Sequence, residues 1–168
     1  MDDGSVFYAY RDQVWFIKLV GAACHPLGPT LNNLVDKALS TPESKNFVVD
    51  ISATTSIDST CLGILSRIAT RPKPANTPKP VIITGGGDID RAVRVVRFDL
   101  LFDVVKSTDT PIVTGTKAIP ALVADQTEKL KLLLDAHKNL CAIDATTHAE
   151  FKDVVKILES EFLIHTRL

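Results

Sequence analysis

The hydrophobic pattern of the first hundred residues switches repeatedly between a period of two and a period near 3.6. The stretches "VFYAY" (6–10) and "VWFIKLV" (14–20) are rich in β-branched and aromatic residues. They predict two strands, with "RDQ" as their hairpin turn and Gly21 ending the second. Leu27, Leu31, Leu34, Val35 and Ala38 then share one helical face. Pro26 and Pro29 suit the approach and first turn of that helix, and Pro42 lies beyond its end. "NFVVDIS" (46–52) predicts a buried strand and "ATTSID" (53–58) a polar loop. Cys61, Ile64, Leu65 and Ile68 predict a helix over 59–71, closed by Pro72. "RPKPANTPKP" (71–80), with four prolines, predicts a loop. "PVIITGGG" (80–87) predicts another buried strand. Asp88 is expected to cap a helix over 89–97, with Ile89, Val93 and Val96 facing inward. Asp88 and Asp90 at its start and Arg94 and Arg97 near its end suit the helix dipole. "LFDVV" (101–105) completes the strands.

The order β-β-α-β-α-β-α-β predicts an α/β fold: a parallel or mixed sheet flanked by α-helices, with right-handed crossovers. Residues 107–125, with Pro111 and Pro120, predict a connector. Two amphipathic helices follow. One carries Leu130, Leu133, Leu134, His137, Leu140 and Cys141; the other carries Phe151, Val154, Val155, Leu158 and Phe162. "THAE" predicts a capping box from Thr147 to Glu150. The expected organisation is a domain over 1–107 and a C-terminal helical extension over 108–168. The two apolar stripes predict either a helical hairpin on the domain or a homodimer surface.

Composition narrows the class. The 168 residues are 45% hydrophobic and 23% charged, with a net charge of −1. That describes a globular chain with no general attraction to nucleic acid or anionic membranes. Three separated cysteines, Cys24, Cys61 and Cys141, form no CxxC pair and read as reduced thiols. The acidic start "MDDGSVFYAY" lacks signal-peptide order, and no segment reaches the ~18 apolar residues of a membrane helix. A cytoplasmic location is the expectation.

The candidate chemistry centres on "IDSTCLGIL" (57–65). Ser59 is flanked by Asp58 and Thr60, so the G-x-S-x-G elbow of α/β-hydrolases is missing. The four histidines form no HExxH pair. His137, on an apolar stripe, reads as a packed histidine and Cys61 as a buried structural thiol. Neither an enzyme activity, nor a metal, nor a cofactor is expected. Spacing alone makes Ser59 the helix N-cap. The same position suits phosphorylation, because about −1.5 to −2 of charge would meet the positive helix end. Beside Asp58 that charge would repel a docked partner. Arg91, Arg94 and Arg97 form a row whose default is a solvated face, with an acidic partner as the alternative. Gly85–Gly87 and the Ser59 helix start are weaker candidates for anion or nucleotide sites.

"VVDISATTSIDSTCLGIL" resembles the signature of STAS domains: a buried strand ending in Asp, a polar loop, then Asp-Ser-Ser/Thr-Gly-Leu-Gly opening a helix. "VWFIKLVG" and "GGGDIDRAVRVVRFDLLFDVV" resemble flanking pieces of that family, and the likeness spans roughly residues 6–106. Within the family the chain is most similar to anti-sigma factor antagonists, in an extended proteobacterial form. The resemblance implies a STAS-like mixed sheet and a partner-switching role. An unphosphorylated antagonist binds a serine-kinase anti-sigma factor, phosphorylation releases it, and a PP2C-type or response-regulator phosphatase restores it. Ser59 matches the phosphorylated serine. Asp58, Thr60, Cys61, Leu62 and Gly63 match the surrounding partner-binding motif, with His25 in the preceding loop. That loop, "GAACHP", lacks the acidic residue that many members carry, and Cys61 stands where Gly is usual. The alternative that the family offers is an accessory subunit of a transporter or another stable complex, attached through the C-terminal helices.

Overall fold

The computed structural model describes residues 3–107 and 114–167. The first two strands, β1 (Ser5–Arg11) and β2 (Val14–Ala23), form the expected antiparallel hairpin. Asp12 and Gln13 make its turn, both at positive φ (51° and 63°), which matches the right-handed twist of a two-residue hairpin. Along β2, buried Trp15, Ile17, Leu19 and Ala23 alternate with half-buried Phe16, Lys18 and Val20. One face of the sheet therefore holds the core.

Two expectations are corrected here. β2 continues through Gly21, and β3 (Asn46–Ile57) takes in most of the predicted loop 53–58. The two extensions pair with each other in parallel: Val20 with Ala53, Gly21 with Thr54, Ala22 with Ser56, Ala23 with Ile57. Register shifts interrupt the ladder between Lys18 and Val20 and between Gly21 and Ala22. Gly21, at φ 76°, accommodates the second at no Cβ cost. The polar "ATTS" is a strand because the end of β2 pairs with it, and Thr54 Oγ1 donates to the Ile51 carbonyl at 2.5 Å.

A 3-10 turn (His25–Leu27) leads into α1 (Gly28–Leu39); α2 (Ser59–Thr70) follows β3. β4 (Val81–Thr84), α3 (Gly87–Val95) and β5 (Asp103–Lys106) come next, and the proline-rich stretch before β4 is irregular as expected. The six strands lie in the order β5-β4-β3-β2-β1-β6, where β6 is Lys117–Ala118. β2 to β5 pair in parallel, and the β1 pairings are antiparallel. This is the expected mixed α/β sheet. Its core joins Ile17, Leu19, Phe47, Val49 and Ile51 to Leu31, Leu34 and Val35 of α1 and Leu62, Leu65 and Ile68 of α2.

Residues 108–113 of the predicted connector, Pro111 among them, lie outside the described residues. Beyond them the chain rejoins the sheet. β6 pairs with β1, and the Leu122 N–H donates to Thr30 Oγ1 at 2.9 Å. α4 (Gln126–Cys141) packs on α2, and its Ala136 and Leu140 belong to the same core. The extension is thus continuous with the sheet domain. α5 (Ala145–Thr166) packs mainly on α4 and leaves Val154, Ile157, Leu163 and Ile164 exposed.

Three caps differ from expectation. Gly86, at φ 86°, precedes α3, and Asp88 instead pairs with Arg91 at 3.3 Å. α5 is capped by Asp144, not Thr147. Asp144 accepts from the Thr147 N–H, while Thr147 Oγ1 accepts from the Asp144 N–H. The third, at α2, belongs to the site described below. The arginine row is fully paired: Arg91 with Asp88, Arg94 with Asp90, Arg97 with Asp99 and Asp144. The Arg97–Asp144 contact, at 3.1 Å, links the end of α3 to the start of α5.

The Asp144 carboxyl is held below its ordinary value of 3.8, first by the Thr147 backbone N–H and then, against some desolvation, by the Thr147 hydroxyl and Arg97. A carboxyl depressed in the folded state stabilises above its unfolded pKa and loses that contribution as pH falls through the folded value. Asp144→Asn should therefore lower the melting temperature at neutral pH. The gap from the parent should close as pH falls below 3.8, as read by thermal melts across a pH series.

Candidate functional site

The end of β3 and the start of α2 form the site. Asp58, at φ −103° and ψ 170°, is the N-cap, which corrects the expectation for Ser59. Its Oδ1 accepts from the Cys61 N–H at 3.0 Å, and its Oδ2 accepts from the His25 N–H at 2.5 Å. A carboxylate has two oxygens and four lone-pair sites, so it can cap a helix and hold a neighbouring loop at once. A serine hydroxyl would have a single oxygen for both donors. Ser59 becomes the first helical residue, with its hydroxyl left for other use. The His25 imidazole is largely exposed, with Nδ1 3.8 Å from Asp58 Oδ2.

The Ser59 hydroxyl meets the C-terminal segment. Its Oγ lies 2.9 Å from His137 Nε2 on α4, and His137 Nδ1 lies 2.7 Å from the Leu133 carbonyl. A carbonyl only accepts, so the hydrogen-bond pattern assigns the proton to Nδ1. In neutral imidazole Nε2 is then the acceptor, and Ser59 donates to it. The imidazole is buried, and its edge meets the Phe151 ring of α5 with centroids 5.9 Å apart. His137 is therefore packed, as its stripe suggested, but it also holds Ser59.

One turn further on, α4 crosses α2 at Gly63. A Cβ there would collide with the Ala136 carbonyl. The Gly63 carbonyl also receives the Asn139 side-chain amide at 3.4 Å. The helices approach this closely because neither backbone is held off by a large side chain.

The residues of the expected partner-binding set differ in exposure. Asp58, Ser59 and His25 reach the surface, whereas Thr60, Cys61, Leu62 and Gly63 are buried. Cys61 and Leu62 belong to the sheet-facing core, and the Cys61 thiol lies 3.4 Å from the Cys24 carbonyl. Burial, reinforced by the Asp58 carboxylate, pushes that thiol well above its ordinary value, so it is inert rather than reactive. The Cys61 side chain thus faces the core and not the surface. The glycine turn before α3 has acidic company in Asp88 and Asp90, which opposes an anion there. Among the described residues, no three His, Cys, Asp or Glu side chains come together to hold a metal ion, and no helix is long and apolar enough to cross a membrane.

No family model and no curated protein matches the chain. Solved structures similar to it include the following two. One is the anti-sigma factor antagonist SpoIIAA in its unphosphorylated form, 11% identical, with 62% of this chain and 90% of that chain covered and a TM-score of 0.47. The other is an uncharacterized protein from Shewanella loihica PV-4 with a SpoIIAA-like fold, 14% identical, with 79% and 95% covered and a TM-score of 0.41.

The Asp58 cap carries a test of the site's construction. Asp58→Ala should cost about 1–2 kcal/mol by loss of the helix cap, and Asp58→Asn much less. Urea denaturation of the two variants beside the parent measures both.

Proposed function

We propose that this chain is a STAS-type partner-switching protein of the anti-sigma factor antagonist class. On this reading it has no catalytic activity of its own. It binds a serine-kinase anti-sigma factor through the α2 start, and phosphorylation of Ser59 ends the association. The observation that carries the reading is Ser59 itself. It stands at the first position of α2, directly after a capping aspartate, with its hydroxyl free of the capping role. A phosphate there would sit next to the Asp58 carboxylate, and the added negative charge would oppose redocking of the same partner. The motif "IDSTCLGIL" supports the same assignment by resemblance, and a PP2C-type or response-regulator phosphatase would reset the switch.

A second reading is favoured by α5. Val154, Ile157, Leu163 and Ile164 are exposed on one long helix, which suits attachment to a stable complex or a second copy of the chain.

Incubation with the cognate kinase and ATP, followed by intact-mass analysis and site mapping, should give a single phosphate on Ser59 and none on Ser59→Ala. Modification elsewhere, or none, removes the switch from this position. In a pull-down, Ser59→Ala should retain the kinase and Ser59→Asp should lose it. Replacing Val154, Ile157 and Ile164 together by Glu should leave that pull-down unchanged under the first reading. Under the second it should abolish the assembled mass in light scattering.

A further inference from the structure

We infer that α4 and α5 form an intramolecular cap, which lifts from α2 as a unit before Ser59 can be modified or docked. The inference rests on the assignment of Ser59 as the switch and adds a level of control to it.

Three observations carry it. First, α4 occupies the functional face of α2. His137 holds the Ser59 hydroxyl at 2.9 Å, Ala136 lies against Gly63, and Asn139 reaches the Gly63 carbonyl. An enzyme that phosphorylates Ser59 needs its Oγ free for in-line transfer, and that atom is half-buried beneath a buried imidazole. A protein docking on the first turns of α2 would compete for the same surface.

Second, the pair has few other moorings. α4 packs chiefly on α2 and α5, and α5 chiefly on α4. Beyond these contacts the extension touches the domain where Leu132 meets α1 near Gly28 and where Ile143 and Phe151 border the core, and Arg97 pairs with Asp144, a half-exposed ion pair of the kind that contributes little in water. The sheet, α1, α2 and α3 share a core built mainly without it.

Third, the tether is separately anchored. β6 pairs with β1, and Leu122 N–H donates to Thr30. The chain can therefore swing between Leu122 and the α4 cap at Asp125 without disturbing the sheet. Local opening of such a unit is a general property of elements held by one face. Its consequence is quantitative: a partner that needs the open form binds with its affinity reduced by the fraction open.

The experiment uses the full chain and needs no kinase. Ser59→Cys places a thiol under His137, and labelling by a small maleimide is followed residue by residue by mass spectrometry. Half-buried Cys24 is the internal reference. The thiol at position 59 should label at least tenfold more slowly than Cys24. Adding Gly63→Ala, whose methyl group meets the Ala136 carbonyl, should raise the rate at position 59 at least tenfold and leave Cys24 unchanged. Should that variant fold poorly, His137→Ala is the second route to the same acceleration. Hydrogen exchange should show α4 and α5 opening together, faster than β2 and β3, and faster still in the Gly63→Ala chain. Labelling at position 59 as fast as at Cys24 in the parent, or exchange of α4 and α5 in step with the sheet, would overturn the cap. Neither outcome bears on whether a kinase modifies Ser59, so the cap and the switch fail separately.

Discussion

The carboxylate of Asp58 holds together the three pieces of chain that make the site. One oxygen closes the first turn of α2, and the other holds the backbone of His25 where β2 gives way to α1. The Asp58 N–H in turn donates to the Ala23 carbonyl at 3.1 Å. The ends of two parallel strands and the start of a helix are thereby fixed to one residue. Everything beyond depends on that fixed point. Because Asp58 is the cap, Ser59 falls at the first helical position. Because α2 starts there, Gly63 comes one turn later, beneath Ala136.

The outline of this arrangement was legible in the sequence, and the reasons are specific. Runs such as "VWFIKLV" and "NFVVDIS" bury alternate or consecutive apolar residues, and no other element accommodates them as well. The helical stripe of Leu27, Leu31, Leu34, Val35 and Ala38 likewise faces the sheet. What escaped were features set by pairing rather than by pattern. The "ATTSI" stretch is polar by composition, yet it is a strand because the end of β2 offers it a ladder. Gly21 reads as a stop, yet it sits within the strand because a bulge needs its positive φ. Asp58 and Ser59 are both good caps by type. The choice fell to Asp58 because the His25 N–H also needed an acceptor, and His25 lies 33 residues away in sequence.

His137 is the clearest case of a long-range contact that periodicity conceals. A polar residue among Leu130, Leu133, Leu134 and Leu140 signals that something buried must satisfy it. The helix itself supplies half of the answer, since the Leu133 carbonyl one turn back takes Nδ1. The other half is Ser59, 78 residues away, and no local pattern carries a distance of that kind. The signal that was available was the demand for a partner, not the partner's identity.

Gly63 is where the backbones of α2 and α4 meet. In a helix that met only water on this face, glycine would be a poor choice, costing roughly 0.5–1 kcal/mol against alanine. Its presence needs a neighbour that approaches to backbone contact. In this structure the neighbour is Ala136, and the small residues on both sides let the helices touch without a side chain between them. A docking protein that used the same face would meet the same glycine and gain from the same close approach. On the proposed reading, one surface serves two geometries that cannot coexist, an internal helix or an external partner. The outcome is then decided by relative affinity rather than by any change in the sheet beneath.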